Sequence, residues 1–338
     1  MNIVILGAGA IGCYLGAALQ AGGLKTTLLL RERMQQELTD AGQLTLSDYR
    51  GLQQRVPLPR LTTEPGVLAE ADLIILTVKC LAVEAAALQI ARYAQPATPV
   101  LALQNGIGSE QPLQERCPQQ TLVRGIVGFN VAPLGQGRFH CGTQGEVYCE
   151  PGLTSLSLTR LQQALGRVGV ELRVSEDFTA LRWAKLQLNL NNAINALSNL
   201  PLKTELEQRG YRRVLSLAMS ELLAVVRAQQ LRLPKLTRLP PAWIPPLLKV
   251  PDALFRRLAG SMLAIDPQAR SSMWEDLSHQ RLTEVDFLNG AVVTAARSLG
   301  MEAPVNAALC RLIHQREGQS LQGMSAETLL QAVRTAAP

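Results

Sequence analysis

The opening residues contain a glycine motif that constrains the fold more than any other stretch of the chain. A short apolar run at 3–6 is followed by Gly-Ala-Gly-Ala-Ile-Gly at 7–12 and then by an apolar helical pattern. This order predicts a strand, a tight turn and a helix, the setting in which G-x-G-x-x-G binds a dinucleotide. The alternative is a glycine-rich turn that only packs the helix. The residues predicted to line the pyrophosphate are Gly7, Ala8, Gly9, Ala10, Ile11 and Gly12.

Length and composition narrow the class of protein. The 338 residues suffice for two domains, and 47% hydrophobic with 18% charged residues is an ordinary globular balance. The net charge of +6 comes from scattered Arg and Lys, and aromatic residues make up only 4%, so neither a nucleic-acid partner nor a membrane is expected. The six cysteines include no C-x-x-C pair, and the cysteines and the three histidines do not have the spacing of metal ligands. We therefore expect reduced thiols, a cytoplasmic location and no leader peptide.

The end of the second predicted strand, at 26–30, bears on the choice of cofactor. An acidic residue near this position favours NAD, whereas an Arg favours the 2′-phosphate of NADP. The chain has Arg31 and Arg33 here, which predicts NADPH. The alternative is that both are exposed loop charges.

Two more strand ends are candidates for the same site. The buried strand predicted at 73–78 ends at Lys79, and the strand at 100–103 is followed by Gln104, Asn105 and Gly106. Ligands of open α/β sheets bind outside the carboxyl ends of strands, so Lys79 and Asn105 are candidate binding residues. The alternatives are a solvated strand end for Lys79 and an ordinary Asn-Gly turn for Asn105.

The character of the chain changes near residue 175, where strand signals give way to helical apolar spacing. We predict domains at 1–175 and 176–325. The stretch 178–200 is an apolar helical pattern with five asparagines, and Lys185 and Asn189 share a face because they are four residues apart. An internal polar site and a polar stripe that caps neighbouring elements are both compatible with this pattern.

The remaining chain is predicted to be helical. A long helix is expected over 205–231, and 233–251 contains six prolines and is not expected to form regular helix. Whether this segment is a lid or a surface excursion stays open. Ser272 and Glu275 fit a capping box at the start of a helix that runs to about Leu299, and the tail after Gln319 is expected to be peripheral.

Six motifs in this order resemble the ketopantoate reductase (2-dehydropantoate 2-reductase) family over nearly the whole chain. They are GAGAIG at 7–12, TVK at 77–79, QNG at 104–106, RWAKLQLN at 182–189, SSM at 271–273 and TEVDFLNG at 283–290. The resemblance implies a Rossmann-type α/β domain followed by an all-helical domain, with the active site between them. It also implies NADPH-dependent reduction of ketopantoate to pantoate, on the route to pantothenate and coenzyme A.

The resemblance gives roles to individual residues. Lys185 resembles the catalytic lysine of the family and Glu284 its essential glutamate. The implied contacts to substrate or cofactor are Asn105, Asn189 and Ser272, and the implied contacts to NADPH phosphates are Arg31 and Lys79.

The spacing of the helix asparagines departs from the family pattern. The second asparagine of the family comes four residues after the first and is followed by Pro, whereas here Asn195 comes six residues after Asn189 and is followed by Ala. Asn189 and Asn191 are therefore both candidates for the substrate role, with Asn195 as the second asparagine.

The chemistry of ketone reduction supports a catalytic role for Lys185. Hydride transfer to a ketone leaves charge on its oxygen, and a protonated lysine both stabilises that charge and supplies the proton. The expected partner is a small keto acid, no metal is required, and a homodimer is left open. Two alternatives are a related oxidoreductase for another small 2-keto or 3-hydroxy acid, and a non-enzymatic dinucleotide sensor.

Overall fold

The computed structural model describes residues 1–260 and 268–335. Contacts divide the chain into one unit of residues 1–105 and 109–178, and a second unit of residues 106–108 and 179–338. The division after residue 178 lies close to the sequence estimate of 175. Two features differ from the predicted domains: the segment 106–108 groups with the second unit, and that unit extends past residue 325. Residues 261–267 of the predicted second domain lie outside the described residues.

The first unit contains the sheets. Its strands are, in chain order, β1 (Asn2–Leu6), β2 (Lys25–Leu29), β3 (Gln43–Asp48), β4 (Gln53–Pro57), β5 (Arg60–Thr62), β6 (Leu73–Leu76), β7 (Val100–Ala102), β8 (Leu122–Val127), β9 (Val131–Pro133), β10 (Arg138–Cys141), β11 (Val147–Cys149) and β12 (Leu172–Val174). Its helices are α1 (Ala10–Ala21), α2 (Glu32–Ala41), α3 (Val83–Tyr93), α4 (Gln111–Arg116) and α5 (Ser155–Gly166).

The main sheet has the strand order β12-β11-β8-β7-β6-β1-β2-β5. Neighbouring strands pair in parallel along the part of the sheet that runs β8-β7-β6-β1-β2-β5, and β11 pairs antiparallel with β8. All residues of β6 and all but the first of β1 are buried, which explains their continuous apolar runs, because helices cover both faces of a parallel sheet. The chain leaves β1 toward β2 on one side and returns through β6 on the other, which is the switch point where such folds bind ligands.

A second sheet has the order β4-β3-β10-β9. Strands β3 and β4 form an antiparallel hairpin, and the Asp48 carboxylate accepts the backbone N–H groups of Arg50 and Leu52 in the turn. Strand β10 joins this small sheet and pairs in parallel with β3.

The second unit is helical. Its helices are α6 (Phe178–Asn189), α7 (Asn191–Ser198), α8 (Leu202–Leu206), α9 (Arg209–Ala228), α10 (Ile244–Leu248), α11 (Asp252–Leu258), α12 (Ser272–Ser278), α13 (Asn289–Ser298), α14 (Pro304–His314) and α15 (Ala326–Arg334). The single helix predicted over 178–200 is divided into α6 and α7 at Leu190, whose N–H still donates to the Leu186 carbonyl at 3.0 Å. The helix predicted over 205–231 is also divided, into α8 and α9.

The proline-rich segment is more ordered than its composition predicts. The expectation that it contains no regular helix is wrong: Pro245 and Pro246 lie in the first turn of α10, where a missing N–H costs nothing. Ser216 of α9 donates to the Pro245 carbonyl at 2.8 Å, and Gln187 of α6 donates to the Pro241 carbonyl at 2.9 Å. Ile244 and Leu248 are buried, so the segment is part of the helical core.

The expectation of one helix from 272 to 299 is also wrong. This stretch contains α12, a 3₁₀ turn at Val285–Phe287 and α13. Gln280 has a left-handed backbone (φ 55°), which prevents α12 from continuing. The cap is Ser271, whose hydroxyl accepts the Trp274 N–H at 3.1 Å, so the predicted capping box at Ser272 does not form.

The C-terminal tail packs into the core rather than at the periphery. Leu329 and Val333 of α15 are fully buried, and the Tyr211 hydroxyl donates to the Met324 carbonyl at 2.7 Å. The amphipathic stripe of α15 supplies this apolar face, which the expectation of a peripheral tail overlooked. All six cysteines are buried and reduced, as predicted. Within residues 1–260 and 268–335, no helix has the length and apolar content needed to cross a membrane.

Candidate functional site

The glycine turn lies between β1 and α1 and exposes backbone rather than side chains. Gly7 has φ +86°, and a Cβ there would lie 2.8 Å from the backbone nitrogen of Val78. A Cβ on Gly9 would meet nothing closer than 4.0 Å, so space is open on that side of the turn. Gly9 is the N-cap of α1, and no side chain accepts a hydrogen bond from the first N–H groups of this helix. The first N–H groups of a helix have no intrahelical acceptor, and together with the helix dipole they form an anion site.

The predicted cofactor residues of the first unit follow neighbouring strands. Arg31, the N-cap of α2, lies two residues past β2 and is exposed, and Lys79 is exposed after β6. Asn105 follows β7 and is half-buried. Because β2, β1, β6 and β7 are consecutive and parallel, these residues and the glycine turn follow the same edge of the sheet.

Two side chains with no predicted role fasten this edge. Gln104 donates to the carbonyls of Leu76 and Val78 at 3.0 and 3.1 Å, which ties the end of β7 to the end of β6. The Thr77 hydroxyl donates to the Gly7 carbonyl at 3.0 Å and holds the glycine turn. Both residues lie in the short motifs TVK and QNG, and their position beside Lys79 and Asn105 is the signal that points to them.

In the helical unit, Lys185 and Glu284 interact electrostatically. Burial among the helices lowers the pKa of Lys185 to about 8, and the Glu284 carboxylate opposes part of this shift. Glu284 is the N-cap of the 3₁₀ turn and lies outside any long helix. The structure therefore brings together, from two distant parts of the chain, a readily deprotonated ammonium group and a carboxylate.

The three candidate asparagines have different surroundings. Asn189 ends α6 and is half-buried. The amides of Asn191 and Asn195 both donate to the buried carboxyl of Glu205, at 3.2 and 3.0 Å. Asn195 also accepts the Ser271 N–H at 2.9 Å, so both ends of its side chain join α7 to other helices.

Glu205 is a buried acid that the sequence did not single out. It is fully buried, and burial raises its pKa to about 8, although the amides of Asn195 and Asn191 act in the opposite direction. Ser272, in contrast, is exposed at the first residue of α12. Among the described residues, no group of three or more His, Cys, Asp or Glu side chains has the arrangement of a metal site.

The segment after Asn105 contacts the segment that carries Glu284. The Ile107 N–H donates to the Phe287 carbonyl at 3.0 Å. Gly106 has φ +79°, and a Cβ there would lie 2.8 Å from the carbonyl carbon of Phe287, so only glycine permits this approach. The buried Arg182 of α6 donates to the Gly106 carbonyl at 3.0 Å. Parts of three motifs thus meet within the helical unit.

Comparisons with known proteins cover both units of the chain. A family model described as ketopantoate reductase PanE/ApbA matches residues 3–152, and the model of its C-terminal part matches residues 177–317. The chain belongs to the ketopantoate reductase family. The predicted membership and the predicted fold class, a Rossmann-type α/β domain followed by a helical domain, are confirmed. The chain is an oxidoreductase of this type.

Individual relatives cover nearly the whole protein. The 2-dehydropantoate 2-reductase of Halobacterium salinarum is 28% identical over 94% of this chain and 100% of its own length. The crystal structure of a PanE/ApbA family ketopantoate reductase from Ralstonia eutropha JMP134 superposes with a TM-score of 0.76, at 28% identity, over 94% of this chain and 98% of the other. A D-mandelate dehydrogenase with NADH and anilino(oxo)acetate has a TM-score of 0.75 at 21% identity, over 94% and 98%, and shares the fold.

Proposed function

We propose that this protein reduces 2-dehydropantoate to pantoate with NADPH, and so supplies pantothenate and coenzyme A synthesis. The observation that carries the proposal is the Lys185–Glu284 pair, in which burial lowers the pKa of an ammonium group to about 8 beside a carboxylate. Perturbed ionisable groups of this kind are concentrated at functional sites. A cytoplasmic location and a homodimer stay predictions.

The first unit has the groups that a dinucleotide requires. The open backbone at Gly9 and the start of α1, where no side chain accepts the first N–H groups, fit a pyrophosphate. Arg31 supplies the charge for a 2′-phosphate, and Lys79 and Asn105 follow the neighbouring strands. When bound, NADPH supplies the hydride that reduces the ketone.

In this proposal Lys185 donates a proton to the ketone oxygen. At pH 7 a lysine with a pKa of about 8 is mostly protonated, yet it releases its proton more readily than a solvated lysine. Glu284 keeps the ammonium charged and accepts a hydrogen bond from the substrate hydroxyl. Both functions are performed by side chains of the helical unit.

We assign the helix asparagine that contacts the substrate to Asn189. Its side chain is half-buried at the end of α6, one helical turn from Lys185. The Asn191 and Asn195 amides donate instead to Glu205, which favours a structural role for both. Ser272 is a further proposed donor, to the substrate carboxylate.

The direct test is an assay of NADPH oxidation with a panel of keto acids. The panel contains 2-dehydropantoate, 2-oxoisovalerate, which lacks its hydroxymethyl group, and benzoylformate as an aromatic keto acid. We expect the highest kcat/KM with 2-dehydropantoate, and a clear preference for NADPH over NADH. A higher kcat/KM with another acid indicates a different oxidoreductase on this scaffold, and binding of NADPH without turnover indicates a sensor.

A further inference from the structure

The segment that carries Glu284 is fastened to one face of α14. Cys310 and His314 of α14 are four residues apart, and Glu317 follows three residues later. The three side chains therefore lie on the same side of α14 and the turn after it. The Cys310 thiol approaches the Val285 carbonyl at 4.0 Å. The other two side chains make the stronger contacts, one on each side of Glu284.

Glu317 holds the residue directly before Glu284. One of its carboxylate oxygens accepts both the backbone N–H and the hydroxyl of Thr283, each at 2.8 Å. Thr283 is 3% exposed, and the Glu317 side chain is 11% exposed. Burial opposes ionisation of Glu317, but the hydrogen bonds from His314 and Thr283 outweigh it and keep its pKa below the usual value. An ionised, shielded carboxylate therefore fixes the backbone at Thr283.

His314 extends this clamp to the far side of Glu284. Its Nδ1 lies 3.0 Å from Glu317 Oε2 and its Nε2 lies 3.0 Å from Asp286 Oδ1. Both ring nitrogens donate only in the imidazolium form, and the hydrogen bond to Glu317, followed by that to Asp286, raises the pKa of His314. The His314–Asp286 pair is more exposed than Glu317, so its contribution is smaller.

We infer that Glu317 is a positioning residue for Glu284 and acts through Thr283. The inference rests on the proposed function, in which Glu284 contacts the substrate. Thr283 has no other side-chain acceptor of comparable charge among the contacts of the described chain. Without the carboxylate, Thr283 loses two hydrogen bonds and the carboxylate of Glu284 is no longer held in place relative to Lys185.

The kinetic test compares Glu317→Ala, Glu317→Gln and the control Glu302→Ala, an exposed glutamate of the same unit. We expect Glu317→Ala to raise KM for the keto acid about tenfold, because hydrogen bonds to a charged group are lost, with NADPH affinity within twofold of native. Glu317→Gln keeps an acceptor for Thr283 and should recover most of the loss. An unchanged KM in Glu317→Ala, or an equal loss of NADPH affinity, overturns the inference.

A double-mutant cycle with Glu284→Ala separates positioning from general stability. If Glu317 acts through Glu284, then Glu317→Ala has little further effect on KM in the Glu284→Ala background. Fully multiplicative effects of the two substitutions contradict the inference. Should Glu317→Ala not fold, the same cycle is measured with Thr283→Val, which removes the hydroxyl hydrogen bond to Glu317.

Hydrogen exchange provides a readout that does not depend on the reaction. Amides of residues 285–288 should exchange faster in Glu317→Ala than in Glu302→Ala, and unchanged exchange overturns the inference whatever the substrate is. Faster exchange combined with a native KM in Glu284→Ala supports the clamp but refutes the proposed substrate contact of Glu284. The two failures are therefore distinguishable.

Discussion

The two units present their candidate functional groups in different ways. The first unit uses backbone, because the turn at Gly7–Gly9 depends on a positive φ and on the absence of Cβ atoms. The helical unit uses side chains, because Lys185 and Glu284 come from separate elements and are brought together by packing. The backbone site is therefore sensitive to added atoms, and the helical site is sensitive to removed charge.

The units also differ in which of their groups titrate near neutral pH. In the helical unit, burial brings the pKa of Lys185 and that of Glu205 to about 8 from opposite directions. In the first unit, burial raises the pKa of Cys149 to about 11 and that of Cys13 to about 12, which keeps these thiols protonated. Dependence of activity on pH around 8 is thus expected to come from the helical unit.

The largest expected effect is that of removing the Lys185 ammonium. A positioned general acid contributes about 10²–10⁴-fold, so Lys185→Ala should lower kcat at least about a hundredfold while NADPH still binds. Lys185→Arg should not restore kcat, because a guanidinium does not readily release a proton. The exposed Lys235→Ala is the matched control, with kcat near native. A fully active Lys185→Ala variant would remove this residue from the mechanism.

The pH profile tests the same residue without a substitution. The acid must be protonated, and the protonated fraction of Lys185 falls as pH rises through its pKa of about 8. We expect kcat to be level below that pH and to fall about tenfold per pH unit well above it. A profile that stays level to pH 10 would contradict a lysine acid with this pKa.

The next effect in size concerns the backbone of the first unit. Gly7→Ala places a Cβ 2.8 Å from the Val78 nitrogen at a φ of +86°, so the turn must shift. We expect NADPH affinity to fall at least about tenfold and the melting temperature to drop. Gly42→Ala is the matched control, because Gly42 also has a positive φ (+68°) but no atom within 4 Å of the added Cβ. Equal losses in the two variants would mean that backbone strain alone explains the effect.

The same contrast explains what the sequence reveals. The glycine turn and each parallel strand consist of contiguous residues, so the spacing of glycines and apolar residues is sufficient to predict them. The helical unit depends on contacts between distant segments. Nothing local at Asn195 indicates that its amide binds Glu205, and nothing in the six prolines shows that α9 fixes their segment. Lys185 and Glu284 were identified through resemblance, since no spacing connects them.

The smallest expected effect concerns Arg31, an exposed side chain of the first unit. It is an exception to the contrast above, because this unit otherwise presents backbone groups. Arg31 follows β2 as the N-cap of α2, in an extended conformation (φ −80°, ψ 152°), at the position where a 2′-phosphate is recognised. Because exposed charges interact weakly in water, Arg31→Ala should raise KM for NADPH only about fivefold. NADH lacks the phosphate, so its KM should be unchanged, and the ratio of the two constants is the measurement. Arg33→Ala, within the first turn of α2, should have a smaller effect on that ratio. Equal use of NADH and NADPH by the native protein would show that Arg31 does not recognise a 2′-phosphate.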